Sequence, residues 1–319
     1  MNRKNLILLV SLIVITTIGL FFVPNFVHPF DQKSSQSTIF FSIRLPGMLT
    51  AIFCGSALAV SGFVLQQLFK NNLAGPYILG VSSGASLAVA ILIISAGFFH
   101  LESYGLSIPL AGFAGAFTIL LLIMMVSSRF GYGAIILLFG VIIGQLSGAL
   151  QSLLSYVASP GELKLFTLWS MGSFGHVIDN DLIILVCFSL AGMVWSYFLM
   201  PALSVMVLGD DVAKSLGVNT GRISMLLLIC TGLLTGMSTA YCGPIAFIGM
   251  AVPNVSRILV KSADFKVLLI SNALLGALMA VISQLISNLG LFSMNIPVNV
   301  TTALIGGPII IHILLRNRH

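Results

Sequence analysis

The stretch Leu73-Ala-Gly-Pro-Tyr-Ile-Leu-Gly-Val-Ser-Ser-Gly-Ala85 decides how this chain is read. It follows a long apolar run that closes on Lys70, and a second apolar run follows it. Pro lacks the amide proton that a helix interior needs, and Gly weakens helix formation. Gly75-Pro76 and Gly80 therefore mark a break between two segments. Each flanking run approaches the ~20 largely apolar residues that a bilayer-spanning helix requires.

Composition carries the same expectation along the whole chain. Of 319 residues, 58% are hydrophobic and only 7% are charged, against about 25% charged in a soluble domain. Water could not solvate such a surface, so lipid is the solvent that fits. The expected fold class is an all-α polytopic membrane protein. Ten candidate spans fall at roughly 6–27, 47–69, 77–98, 106–127, 133–157, 181–200, 223–241, 244–260, 267–288 and 298–315, close to one per ~30 residues. The first run imitates a signal peptide. It is long for one and no Ala-x-Ala site follows, so it reads as a retained span.

Charge sets the expected orientation. With both termini cytoplasmic, Arg3, Lys4, Lys70, Arg129, Lys214, Arg222, Arg257, Lys261, Lys266, Arg316 and Arg318 lie inside, and only Lys33, Arg44 and Lys164 lie outside. The inverted arrangement would violate the positive-inside rule. The acids (Asp31, Glu102, Glu162, Asp179, Asp181, Asp210, Asp211, Asp264) all fall in connections or at span ends. An ion-coupled secondary carrier, the alternative reading, usually needs an intramembrane carboxylate or a comparable ion site.

Several functions find no support in the residues. No basic face suits nucleic acid. Cys54, Cys187, Cys230 and Cys242 show no CxxC, and the histidines show no ligand spacing, so the cysteines read as small buried hydrophobes and no metal is expected. No G-x-x-x-x-G-K-[ST] is present to cradle ATP phosphates, and no His-Glu-x-x-His to hold zinc. Gly80-Val-Ser-Ser-Gly84 fits a nucleophile elbow in letters only, because no His–acid pair stands beside it. The sequons at Asn254 and Asn299 lie in or beside spans and read as accidental.

Three features are candidates for function. Gly140, Gly144 and Gly148 recur every fourth residue in the fifth span, on one helix face. They suit either ordinary close packing or the smooth wall of a path, to which Gln145, Gln151, Ser152 and Ser155 would add polarity. The connection from about 201 to 222 carries Leu208-Gly-Asp-Asp-Val-Ala-Lys-Ser-Leu-Gly217. Asp210 and Asp211 suit the first turn of a short helix, and Gly217 suits its stop. That helix is either a solvated surface element or a docking element for a cytoplasmic partner. Arg44 stands against the positive-inside trend, as a contact for an acidic external partner or for lipid headgroups.

At these residues the chain resembles the FecCD family, the permease subunits of ABC importers for iron-siderophores, haem and cobalamin. Arg44-Leu-Pro46, Gly55-x-Ala57-Leu-Ala-x-Ser-Gly62, Asn72-Leu-Ala-x-Pro76, Leu79-Gly-Val-Ser-Ser-Gly-Ala85, Trp169-x-Met-Gly-Ser173, Cys242-Gly-Pro-Ile-Ala-Phe-Ile-Gly249, Val252-Pro253…Arg257 and Thr302-Ala-Leu-Ile-Gly-Gly-Pro308 carry the resemblance in order.

The resemblance implies a single BtuC-like (type II) transmembrane permease domain over 1–319, with ten helices. Helices two to five would be related to seven to ten by pseudo-symmetry. It implies a second permease subunit, identical or not, two ATP-binding cassette subunits that bind ATP and Mg, and a periplasmic or lipoprotein substrate-binding protein. The setting would be the bacterial cytoplasmic (inner) membrane.

It further implies that Gly209, Asp210, Asp211, Val212, Ala213, Lys214, Ser215, Leu216 and Gly217 couple to the ATPase. The fifth and tenth helices would line the path, with a cytoplasmic gate at Gly133 and Ala134 and binding-protein docking at Arg44. The chain departs from the family pattern at Gly47, where many relatives carry a second Arg. It departs again at Asn254, where His is common, and at Asn295-Ile-Pro-Val-Asn299.

Overall fold

A computed structural model describes residues 3–22, 39–98, 107–130, 134–289 and 296–316. They form helices α1 (Arg3–Phe22), α2 (Leu45–Leu68), α3 (Val81–Phe98), α4 (Ser107–Phe130), α5 (Ala134–Val157) and α6 (Pro160–Ser170). The chain continues through α7 (Asp179–Val207), α8 (Asp210–Ser215), α9 (Thr220–Cys242), α10 (Ile248–Val260), α11 (Phe265–Ser287) and α12 (Val298–Arg316). A π-helical turn, Phe40–Arg44, leads directly into α2. No strand occurs among the described residues. Among the described residues, seven helices are long and apolar enough to cross a membrane, and α3, α10 and α12 each carry a shorter apolar stretch. These ten coincide with the expected spans, and α6 and α8 are the short helices between them.

Several expected boundaries move, among them the start of the third span, which opens at Val81 rather than at 77. The sixth span does not stop at 200: α7 continues through Pro201 to Val207. One proline removes a single backbone hydrogen bond, whereas Met200, Leu203 and Met206 on the inner face are all buried. Packing wins, and the connection expected on the cytoplasmic side shrinks to 208–219. The eighth span does not begin at 244 but at Ile248, because Gly243 and Phe247 both take positive φ in the turn before it. Of the four cysteines, Cys54, Cys230 and Cys242 are buried as expected, but Cys187 is exposed on α7.

α2 occupies the centre, packed by α7, α9, α10 and α11. Its sequence is apolar on every side, as a fully enclosed helix requires. Lipid tails are as apolar as leucine, so helix association in a membrane relies on close contact and hydrogen bonds. Glycines supply the contact. A Cβ on Gly55 would stand 2.4 Å from the Gly276 carbonyl oxygen, and one on Gly62 only 1.7 Å from that of Gly249. Ser61 Oγ meets Thr235 Oγ1 at 2.8 Å, and Ser56 Oγ donates to Ala273 O at 2.9 Å, each contributing on the order of 0.6 kcal/mol.

The arrangement repeats. α5 lies on α3 and α4, as α12 lies on α10 and α11. α4 packs on α9, as α11 packs on α2. Helices α2–α5 and α9–α12 thus form two similar halves, with α1 set outside them against α11.

Candidate translocation path and coupling helix

The glycine face of α5 divides into two parts. Gly140 packs: a Cβ there would lie 2.7 Å from Leu79 Cα, in the turn before α3. Gly144 has ordinary room, with Ser83 Oγ 3.5 Å from that position, and Gly148 faces open space. The three glycines share one helix face but meet different surroundings.

Gly144 and Gly148 line a cavity of about 510 Å³, with Tyr77, Gln145, Gln151 and Asn299. A second cavity of about 710 Å³ shares Tyr77, Ile78 and Asn299, and reaches Phe247, Met250 and Leu304. Together they run from α5 to the start of α12, along the turns that precede α3 and α10. Ser155 is half-buried on α5 and lines neither cavity. Gln151 Nε2 donates to Ser83 O at 3.2 Å, and Asn299 Oδ1 accepts from Ala246 N at 3.2 Å. Ser82 is buried, and its Oγ lies 3.2 Å from Thr239 Oγ1. Its hydroxyl is thus held against α9 at the edge of the smaller cavity. Tyr77 and Ser83 went unassigned in the sequence; the signal for them was the Gly/Pro turn, whose backbone stands beside the cavities.

A polar cluster ties α2 to α10. Pro253 has no N–H, so the helix is already irregular there. Met250 O accepts from both Gln66 Nε2 (3.1 Å) and Asn254 Nδ2 (2.8 Å). Asn254 Nδ2 also donates to Asn72 O at 3.0 Å. Arg257 Nη2 donates to Asn254 Oδ1 at 2.9 Å and to Gln66 Oε1. The family-divergent Asn254 is thus fully engaged.

α8 is held as a unit. Gly209 and Gly217 flank it with φ of +134° and +81°, conformations open to glycine. Ala213 is buried, its N–H donating to Gly209 O at 3.0 Å and its carbonyl accepting from Val218 N at 2.9 Å. Leu208, Val212 and Leu216 recur every fourth residue and are 71%, 43% and 65% exposed. Asp210, Asp211, Lys214 and Ser215 are exposed around them.

At the opposite end, Arg44 is half-buried, and its Nη1 donates to Leu20 O at 3.0 Å. It lines a cavity of about 630 Å³ with Trp169, His176 and Tyr241. α6 was read from sequence as plain connection. Its signal was Ser159-Pro-Gly-Glu162, a capping box in which Ser159 N donates to Glu162 Oε2 (2.9 Å) and Glu162 N to Ser159 Oγ (3.4 Å). The loop after α6 is pinned by Ser173 N to Cys242 O (2.9 Å) and Asn299 N to Met171 O (3.2 Å). Of the expected gate, Gly133 lies outside the described residues and Ala134 opens α5.

The model of the FecCD transport family matches residues 6–316. The chain belongs to the FecCD transport family. Among relatives of this FecCD chain, the vitamin B12 import system permease protein BtuC of Salmonella arizonae is 34% identical over 99% of this chain and 96% of that protein. The hemin transport system permease protein HmuU of Yersinia pestis is 36% identical over 88% of this chain and 84% of that protein.

A solved structure described as an inward-facing conformation of a metal-chelate type ABC transporter superposes with a TM-score of 0.86, at 29% identity, over 98% of both chains. PsaBC from Streptococcus pneumoniae, at 18% identity and a TM-score of 0.59 over 86% of this chain and 91% of that one, shares the fold. The FecCD chain is accordingly a multi-pass membrane permease subunit of the ABC importer kind, not itself an enzyme.

Proposed function

We propose that this chain is one of two permease subunits in a binding-protein-dependent importer of a metal chelate, a ferric siderophore ahead of haem or cobalamin. The observation that carries the reading is α8. It is a short helix clamped between two positive-φ glycines, and it presents Leu208, Val212 and Leu216 to the outside on the same chain as a cavity wall. An exposed apolar row on an otherwise polar connection marks a docking surface. The partner it fits is an ATP-binding cassette subunit, which holds ATP and Mg.

Each remaining part takes a role in that scheme. Both termini lie in the cytoplasm of a bacterial inner-membrane protein. Lys4 Nζ, donating to Leu259 O at 2.6 Å, joins the start of α1 to the end of α10, near Lys261 and Lys266. Nucleotide binding brings the ATPases together, α8 moves with them, and the path between α5 and α12 opens to one side and then the other, gated near Gly133 and Ala134. Such a change requires ligands that bind the two states differently. A periplasmic or lipoprotein binding protein docks near Arg44 and delivers the chelate.

The test is Ala213→Pro, which removes the N–H that Gly209 O accepts. The assembled transporter in proteoliposomes is expected to lose ATP-driven chelate uptake by at least about tenfold, roughly 1.4 kcal/mol of coupling. Normal ATPase co-purification with undiminished uptake would refute the assignment.

A further inference from the structure

The cavity wall between α5, α12 and the two turns carries hydroxyls, carboxamides and apolar side chains. None of the described residues lining either cavity is charged. The half-buried cation Arg257 lines neither cavity and is engaged by Gln66 and Asn254. Three carboxamides stand in the wall with capacity to spare. Asn299 spends Oδ1 on Ala246 N and keeps its two N–H donors. Gln151 spends an N–H on Ser83 O and keeps Oε1 as an acceptor. Gln145 is exposed on α5, and its side chain makes no hydrogen bond among the described residues.

Such a wall offers dipoles and no counter-charge. Withdrawing an ion from water costs several kcal/mol when nothing opposite in sign receives it, and the cost multiplies for a trianion. A hydrogen bond from a neutral amide returns only about 0.5–1.5 kcal/mol. A neutral ligand with amide or hydroxamate groups incurs no such charge cost. Its oxygens accept from Asn299 and Gln145, and its N–H groups donate to Gln151.

We infer that this wall selects metal chelates without net charge and with an amide- or hydroxamate-type exterior, and discriminates against polyanionic chelates. The inference rests on the chelate-importer reading and narrows it to a substrate class.

Equilibrium dialysis of the nucleotide-free permease–ATPase complex in nanodiscs, without binding protein, tests it. The probes are a charge-neutral ferric trihydroxamate and a trianionic ferric tricatecholate, both radiolabelled at iron. The trihydroxamate is expected to be retained at least about tenfold more tightly. Gln145→Arg, at an exposed position, should erase or reverse that order, whereas Gln145→Ser should keep it. Equal or tighter retention of the tricatecholate, retention of neither probe, or an order unmoved by Gln145→Arg would overturn the inference. Failure of the complete transporter to take up any chelate with ATP strikes the importer reading instead, so the two failures are distinguishable.

Discussion

Where α3 begins, Gly80 takes φ +76°; where α10 begins, Phe247 takes φ +68°. The two turns hold equivalent places in the two halves, and each receives a glycine of a cavity-lining helix. Gly140 of α5 meets Leu79, and Gly306 of α12 meets Phe247 Cβ, 2.6 Å from where a Cβ of its own would stand. The first half solves the left-handed turn with a residue that adopts it freely. The second half uses a large side chain there, at a backbone cost of about 1–2 kcal/mol, and gains a ring in the wall of the larger cavity.

The next turns differ as well. Ser82, two residues past Gly80, meets α9 through hydroxyls, whereas Gly249, two residues past Phe247, meets α2 through bare backbone. Ten residues past each turn residue stand Ala90 and Arg257. A repeated scaffold thus tolerates different local chemistry as long as each close approach is kept.

The comparison can be broken most severely at Gly62. Gly62→Val puts two methyl groups where one Cβ already overlaps Gly249, with backbone on both sides. The expected loss exceeds about 3 kcal/mol, read as the absence of a folded peak on size exclusion in detergent; a monodisperse variant would show that α2 and α10 need not touch.

Arg257→Ala, which has no counterpart in the first half, strips Gln66 and Asn254 of a charged donor. It should cost about 2–3 kcal/mol by chemical denaturation, while Ala90→Ser should cost less. Gly80→Ala should cost about 1–3 kcal/mol, since its Cβ would stand 2.9 Å from Gly140 O at an unfavourable φ.

Phe247 sharpens the contrast: Phe247→Gly should be more stable than Phe247→Ala by about 1 kcal/mol, because both lose the ring but only glycine relieves the backbone. Equal melting temperatures for the pair would remove the strain from the account. At the small end, Gly148→Ala and Gly307→Ala, with nothing within 4 Å of the added Cβ, should each stay within about 0.5 kcal/mol of the parent.

Much of this was legible in one dimension, for local reasons. Span existence follows from runs of apolar residues, and α8 from Gly209, Asp210, Asp211 and Gly217, whose preferences act over a single turn. What was misread turned on distant partners. Pro201 looked like an end until the buried face of Met200, Leu203 and Met206 carried α7 past it. Cys187 looked like a core residue until its side of α7 was left uncovered. α6 was legible in its capping box and was passed over. The glycines of α5 looked alike because spacing records a helix face but not what lies opposite.

The sequence alone determined that the chain lives in lipid, that about ten of its segments cross it, and that a short glycine-bounded helix interrupts them, since hydropathy and turn chemistry are properties of neighbouring residues. Tertiary structure alone decided that Gly140 packs while Gly148 faces open space, that Phe247 replaces a glycine's role, and that Asn299 joins two cavities. Those outcomes depend on contacts between residues far apart in the chain, which no local pattern encodes.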